Sequence, residues 1–276
     1  MTSMTLGPLA VPIAFIPWLA ALVALWATVW LRRRDAARPD PEALLSWALF
    51  GVLIGARLAF VLRYWDRFDG PLAMLDVRDG GFWWPGAVAG ALVGLSLALW
   101  RGHRRAFGEA GLAGGVGLTA ALLVTLITVP LQSGTAPAPE VDLRTLDHDI
   151  VPLSTLTGDR ITVVNLWASW CPPCRREMPV FQRAQRDYPG VRFVYANQGE
   201  SATTVRRYLT EEALRLDQVL LAPHRDLGRA LGGGLPTTLI INGDGQLVDS
   251  HLGPLSPAAL HHFLNPYTSA RAVEKE

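Results

Sequence analysis

Trp170-Cys171-Pro172-Pro173-Cys174 decides the reading of this chain, and Cys171 and Cys174 are its only two cysteines. An apolar run, Ile161-Thr162-Val163-Val164-Asn165-Leu166-Trp167, precedes them and predicts a buried strand. Residues 175–188 then predict a helix. A strand that feeds a helix puts Cys171 at the helix N-terminus. There the free N–H groups and the dipole favour negative charge and stabilise a thiolate. Cys174 follows one turn later, close enough to close a small disulfide ring. Such a dithiol can cycle by exchange with the disulfide of another protein. Two plainer readings stand beside this one. Zinc needs two further ligands, yet there is no second CxxC, and His148, His224, His251, His261 and His262 lack a His-x3-5-His spacing. A purely structural disulfide stays open, although a bridge across so short a loop gains little chain entropy and is usually labile.

The flanking sequence alternates between strand and helix. Residues 191–196 predict a buried strand. Ser201 predicts an N-cap for a helix to about Leu214. Residues 218–221 read as a short strand and 226–231 as a short helix. Residues 247–252 pair back across Gly243-Asp244-Gly245. Ser256-Pro257 opens a last helix through Phe263. This order suits an α/β sandwich with a mixed sheet.

Val163-Val164-Asn165-Leu166-Trp167-Ala168-Ser169-Trp170-Cys171-Pro172-Pro173-Cys174-Arg175-Arg176-Glu177-Met178-Pro179 resembles the active-site segment of TlpA/ResA-like thiol-disulfide oxidoreductases. These are thioredoxin-fold proteins that face the bacterial periplasm or outer membrane surface. Leu235-Pro236-Thr237-Thr238-Leu239-Ile240-Ile241-Asn242 resembles their cis-proline loop and the strand after it. The resemblance covers roughly residues 141–264. It implies that Cys171 is the exposed attacking thiol and Cys174 the resolving one. It implies a cis Pro236 lying against the disulfide, with Leu235 and Thr237 beside it presented to the client chain. Pro172 and Pro173 stiffen the helix start without forfeiting intrahelical bonds. Pro179 sits inside the helix and should kink it. Trp170 is expected to shield the thiol and Trp167 to pack in the core. Where cytoplasmic thioredoxins carry a buried Asp, this chain has Asn165, which cannot accept a proton. Glu177, one turn after Cys174 and usual in the resembled family, is the candidate acceptor. Its alternative is a solvated charge on a helix face.

The first half of the chain poses a different solvent problem. Half of all residues are hydrophobic, and four apolar stretches stand out, residues 11–31, 43–62, 83–100 and 111–131. Each is near the roughly 20 residues that cross a bilayer. The first is not read as a cleavable signal peptide, because its charges, Arg32-Arg33-Arg34, come after it. Those arginines with Arg38, and later Arg101, Arg104 and Arg105, put the loops after spans one and three in the cytoplasm. Four spans return the chain to the periplasm, where disulfide chemistry persists. A polar, proline-containing linker follows. The net charge of +1 offers nothing to a nucleic-acid partner.

Ile54-Gly55-Ala56-Arg57-Leu58-Ala59-Phe60-Val61-Leu62 and Asp79-Gly80-Gly81-Phe82-Trp83-Trp84-Pro85-Gly86-Ala87 resemble part of a prolipoprotein diacylglyceryl transferase, over roughly residues 44–105. The His-Gly-Gly of that family would fall at Pro85-Gly86-Ala87, so its histidine is missing. A related scaffold that has lost acyl transfer is the expectation. Arg57, a charge inside a span, is read as snorkelling or pairing with Asp66 or Asp79, with a lipid headgroup contact as the alternative. Glycines 51, 55, 86, 90 and 94 permit close helix packing.

The expected architecture is therefore two-part. An α-helical transmembrane bundle of four spans occupies residues 1–131, a linker 132–140, and an α/β thioredoxin-like domain 141–267 with a tail at 268–276. The expected activity is a membrane-tethered periplasmic reductant of client protein disulfides. It uses no cofactor beyond the Cys171–Cys174 disulfide and no metal. The membrane half holds no cysteine, so electrons come from a separate membrane or periplasmic donor; membrane lipids are the other partner. The alternatives are a dithiol oxidase or isomerase, a lipid-modifying transferase with a redox domain, and a docking scaffold.

Overall fold

A computed structural model describes residues 3–6, 9–12, 16–33, 39–68, 70–132, 136–222 and 234–273. The chain divides into two compact units, one of residues 12–133 and one holding residues 134–276 together with 1–11.

The first unit is helical: α1 (Ile16–Arg32), α2 (Glu42–Arg63), the short α3 (Pro71–Leu75), α4 (Trp84–Trp100) and α5 (Phe107–Gln132). Two short strands, β1 (Ser3–Leu6) and β2 (Leu9–Pro12), pair with each other near the N-terminus. The expected start of the first apolar helix at Val11 is thereby corrected to Ile16, with Pro17 in the first turn where a missing N–H costs nothing. Two stretches, Glu42–Arg63 and His103–Thr128, are long and apolar enough to cross a membrane; α1 and α4 are apolar and 17 residues long.

Helix α1 packs on α5, and α2 on α4. The second pair meets along glycine. A Cβ on Gly90 would stand 1.9 Å from the Gly51 carbonyl oxygen, and one on Gly51 2.0 Å from that of Gly90. Alanine at either position would force the backbones apart. Arg32 bonds to Glu109, tying the end of α1 to the start of α5.

Arg57 is the polar centre of this unit. Its Nη1 donates to Asp79 Oδ1 and the Gly81 carbonyl, both at 2.9 Å, and its Nε to the Met74 carbonyl at 3.0 Å. Its Nη2 donates to the carbonyls of Asp76 at 2.8 Å and Ala73 at 3.4 Å. Phe60 and Phe68 flank the guanidinium, each 5.7 Å away. All five N–H groups thus go to protein oxygens. Arg57 folds the 64–83 connection back onto α2 and has no donor left for a lipid headgroup.

The second unit is an eight-stranded mixed sheet of order β3-β10-β9-β6-β7-β8-β4-β5. Its strands are β3 (Ala136–Pro137), β4 (Asp142–Thr145), β5 (Ile150–Pro152), β6 (Thr162–Trp167), β7 (Arg192–Gln198), β8 (Gln218–Ala222), β9 (Thr237–Ile241) and β10 (Gln246–Leu252). Strands β6, β7 and β8 run parallel, joined by α6 (Pro172–Asp187) and α7 (Ala202–Glu211). Strand β9 returns antiparallel to β6. Alternation sorts β6 between two cores. Val163 and Trp167 pack with Met178, Phe181, Val205 and Leu260, while Val164 and Leu166 pack with Leu143, Leu153 and Leu239. Ser201 Oγ caps α7, accepting from the Thr204 N–H at 3.2 Å.

Two boundaries differ from expectation, and one expected element is not described. Residues 136–137, expected in the linker, form β3 and pair with β10. The last helix, α8 (Pro257–Val273), runs past Phe263 and Pro266, so the expected tail is helical through Val273. The helix expected at 226–231 lies outside the described residues.

Replacing Arg57 by Met should strand Asp79, which is 6% exposed, at a cost of about 3–5 kcal/mol. Limited proteolysis of the detergent-solubilised protein should then cut faster within residues 64–83, and Asp79→Asn added to Arg57→Met should restore part of the protection. Cutting at the wild-type rate would count against the clamp.

Candidate active site

The site grows from the end of β6. The antiparallel register sets Leu166 opposite Thr237 and Asn165 opposite Thr238. Residues 235–237 therefore arrive beside the point where the chain leaves β6 for Trp170 and Cys171. Cys171 is the N-cap of α6, extended at φ −89°, ψ 107°, with Pro172 and Pro173 in the first turn. Its Sγ accepts from the Cys174 N–H at 3.3 Å, the donor that favours a thiolate there.

Cys171 and Cys174 are joined in a disulfide with Cα atoms 5.3 Å apart. In this oxidised form Cys171 is 3% exposed and Cys174 fully buried. The expectation of an exposed Cys171 is corrected for the closed state, in which Cys171 belongs to the core cluster with Trp167, Cys174 and Met178. Trp170, by contrast, is 57% exposed. The Leu235–Pro236 peptide bond is cis. The Pro236 carbonyl accepts from the Gly253 N–H at 2.9 Å, and Thr237 Oγ1 donates to the Gly234 carbonyl at 2.8 Å. Pro236 and Thr237 are buried and Leu235 half-buried. Trp167 is a core residue tilted against Tyr208 at 5.4 Å. Pro179 lies inside α6.

Glu177 is 1% exposed, which overturns the alternative of a solvated charge on a helix face. Asn165 Nδ2 donates to its Oε1 at 2.8 Å and the Leu255 N–H to its Oε2 at 3.1 Å. Burial strips the carboxylate of water and pushes the carboxyl up to about 8; the two hydrogen bonds pull the other way without undoing it. Asn165 Nδ2 also donates to Thr238 Oγ1 at 3.2 Å, while its Oδ1 lacks a partner. Turning the amide over would aim Oδ1 at Glu177 as an acceptor for the protonated carboxyl. Glu177 shares a helix face with Cys174 three residues before it. That spacing puts a buried carboxyl, which burial keeps protonated to about pH 8, one turn from the sulfur of Cys174.

Sequence reasoning missed Glu200. Its Oε2 accepts from the Ser169 N–H and from Asn197 Nδ2, both at 2.7 Å, and its Oε1 accepts from Ser169 Oγ. It pins the turn that carries Trp170 and Cys171 to the end of β7. The partners are 31 residues apart, so no local pattern announces the contact; Gly199 at φ +81° marks only the bend before it. Arg175 was also unremarked: it pairs with Glu212 and lies over the Tyr208 ring. Among the described residues, no group of three His, Cys, Asp or Glu is placed to hold a metal ion.

A thioredoxin-like sheet carrying a dithiol at a helix start, beside a cis-proline, defines a thiol-disulfide oxidoreductase. Comparison with known proteins agrees. The Redoxin family model matches residues 132–262. The thiol-disulfide oxidoreductase ResA of Halalkalibacterium halodurans is 30% identical over 125 residues, covering 44% of this chain and 70% of that protein. ResA of Bacillus subtilis is 28% identical over 130 residues, 46% of this chain and 72% of its own. The chain belongs, through its C-terminal half, to the ResA family of thiol-disulfide oxidoreductases. A crystal structure of a thiol:disulfide interchange protein from Chlorobium tepidum TLS aligns at 28% identity over 49% of this chain and 97% of that one, with a TM-score of 0.42. The prolipoprotein diacylglyceryl transferase model matches residues 4–122, a longer stretch than the motifs alone delimit.

Because the folded protein holds the Glu177 proton up to about pH 8 and the unfolded chain releases it near 4.5, folding binds a proton across that window. Stability of the oxidised protein should therefore fall as pH rises from about 5 to 8, by at most about 1.4 kcal/mol per unit from this group. Urea unfolding followed by near-UV circular dichroism should show that slope in the wild type and lose it in Glu177→Gln. An equal slope in both would remove Glu177 as its source.

Proposed function

We propose that the protein is a bacterial inner-membrane thiol-disulfide oxidoreductase of four spans, with its dithiol in the periplasm reducing disulfides of client proteins. The observation that carries the redox reading is the dithiol at the start of α6 with a buried, proton-holding Glu177 on the same face. In the first step the Cys171 thiolate attacks a client disulfide, forming a mixed disulfide and releasing one client thiolate. Cys174 then passes its proton to Glu177, which the reducing half of the cycle has left ionised, and its thiolate attacks Cys171 Sγ and releases the second client sulfur as a thiolate. Two electrons leave the pair for the client, and the internal disulfide remains. A separate reducing partner reverses the second half, and Glu177 returns its proton to Cys174. Trp170, next to Cys171 in the chain, and Leu235 and Thr237, on either side of the cis Pro236, would receive the client segment.

Four apolar helices support the membrane reading. Helices α1 and α4 have 17 residues each, at the lower end of what crosses a bilayer. The arginines after α1 and α4 support a periplasmic redox half.

Cys174→Ala should accumulate mixed disulfides with periplasmic proteins, resolved on non-reducing gels, and Cys171→Ala should accumulate none. Equal trapping by the two variants would reject the assignment of attacking and resolving thiols.

Alkaline phosphatase fused after residue 132 should be active, and the same reporter fused after Arg105 inactive. The opposite pattern would place the dithiol in the cytoplasm.

A further inference from the structure

Both hydrogen-bond partners of Glu177 lead on to the same place. Asn165 Nδ2, which donates to Glu177 Oε1 at 2.8 Å, also donates to Thr238 Oγ1 at 3.2 Å. Thr238 is fully buried and stands on β9, two residues after Pro236. Leu255, whose N–H donates to Glu177 Oε2 at 3.1 Å, stands two residues after Gly253. The Gly253 N–H in turn donates to the Pro236 carbonyl at 2.9 Å. Between them Pro254 has a fixed φ, so 253–255 is a short, stiff strap. Glu177 thus holds the Pro236 segment by two arms, one a side-chain amide and the other a length of backbone.

The hold of both arms depends on charge. An N–H bonds an ionised carboxylate roughly twice as strongly as a neutral acceptor. Burial and these two bonds set the proton affinity of Glu177, and no charged side chain among the described residues acts on it. Asn165 of β6 and Thr238 of β9 do not titrate. Cys174, three residues earlier on α6, is the titratable group that shares its face. In the proposed cycle Glu177 is ionised while Cys171 attacks, and neutral once Cys174 has given up its proton. The two arms are therefore tight during attack and slack at release. A segment held tight loses less freedom when a client docks on it, and so binds the client better.

We propose that Asn165, Thr238 and the 253–255 strap are positioning groups through which Glu177 sets the grip of the Pro236 segment on the client: the carboxylate tightens it, and the proton taken from Cys174 slackens it and frees the client. The proposal rests on the reading that Glu177 accepts the Cys174 proton. One proton then serves twice, making the resolving thiolate and opening the docking segment in the same step.

Hydrogen exchange at the Gly253 amide tests it, read by NMR on the full-length oxidised protein in detergent with a 15N-glycine label. Protection, corrected for the intrinsic pH dependence of exchange, should be about fivefold higher at about pH 9.5 than at about pH 6.5. Those conditions lie either side of the value of about 8 to which burial raises Glu177. Glu177→Gln should keep the low protection at both. Insulin reduction driven by dithiothreitol reads the same coupling on a client. Thr238→Val, which removes the hydroxyl, should raise KM about threefold and leave kcat within about twofold, and Thr238→Ser should restore KM. Gly253 protection that does not change with pH in the wild type overturns the proposal. If a 13C-carboxyl signal of Glu177 titrates in the same samples, the acceptor reading stands without it; a flat Glu177 signal overturns both. A Thr238→Val loss confined to kcat also overturns the proposal. The exchange comparison decides on its own where Thr238→Val fails to fold.

Discussion

A carboxyl group with no water around it holds the redox unit together. Glu177 reaches from α6 to Asn165 on β6 and to the Leu255 N–H just ahead of α8. Two consecutive elements and a segment 78 residues further on thus converge on one buried proton site. An ionised group there is costly, so the site prefers its neutral form. That preference is also what makes it useful. A carboxyl that holds its proton up to about pH 8 can give and take that proton as the disulfide opens and closes. In the proposed cycle the helix start and the carboxyl divide the work: N–H donors favour charge on Cys171, and the acid would take and return the proton of Cys174.

The helical unit meets the same problem, a charge away from water, with a different solution. Arg57 is not neutralised by losing a proton but by saturation, with one carboxylate and four backbone carbonyls taking all its donors. Those carbonyls come from a connection that would otherwise have few reasons to fold. In the proposed bilayer setting, the glycine contact of α2 with α4 would supply the packing that apolar surface cannot, because burial of one apolar face against another gains little there. The combination explains how helices with exposed Leu, Ile, Val and Trp on nearly every outward face still form a defined pair.

The motif, the strand before it and the helix after it were legible because local chemistry dictates them. Two prolines suit a first helical turn, and a mostly apolar β6 suits a two-sided core. The apolar lengths of the first half were legible for the same reason, as was the glycine spacing. Glu177 was half legible: its position one turn from Cys174 was plain, but a helical Glu reads equally as solvent-facing until β6 and residue 255 are seen to cover it. Glu200 was not legible at all, since its donors at Ser169 lie a full βαβ step away. The end of α8 was missed because Pro266 reads as a stop, and β3 because a two-residue edge strand takes its identity only from its partner β10.

By itself, the sequence determined the class of chemistry: two cysteines at CxxC spacing, behind an apolar strand and ahead of a helix, in a chain whose first half is apolar enough for lipid. Those facts depend on residue type and short-range geometry, which survive without a fold. Only the tertiary structure decided which charges are buried and what each one touches. It chose the core over solvent for Glu177, buried Cys171 in the closed disulfide, and chose Asp79 and four carbonyls over a lipid headgroup as the partners of Arg57. The physical reason is that the energy of a charge depends on the water and dipoles within a few ångströms of it, and those neighbours are set by chain segments that sequence distance does not relate.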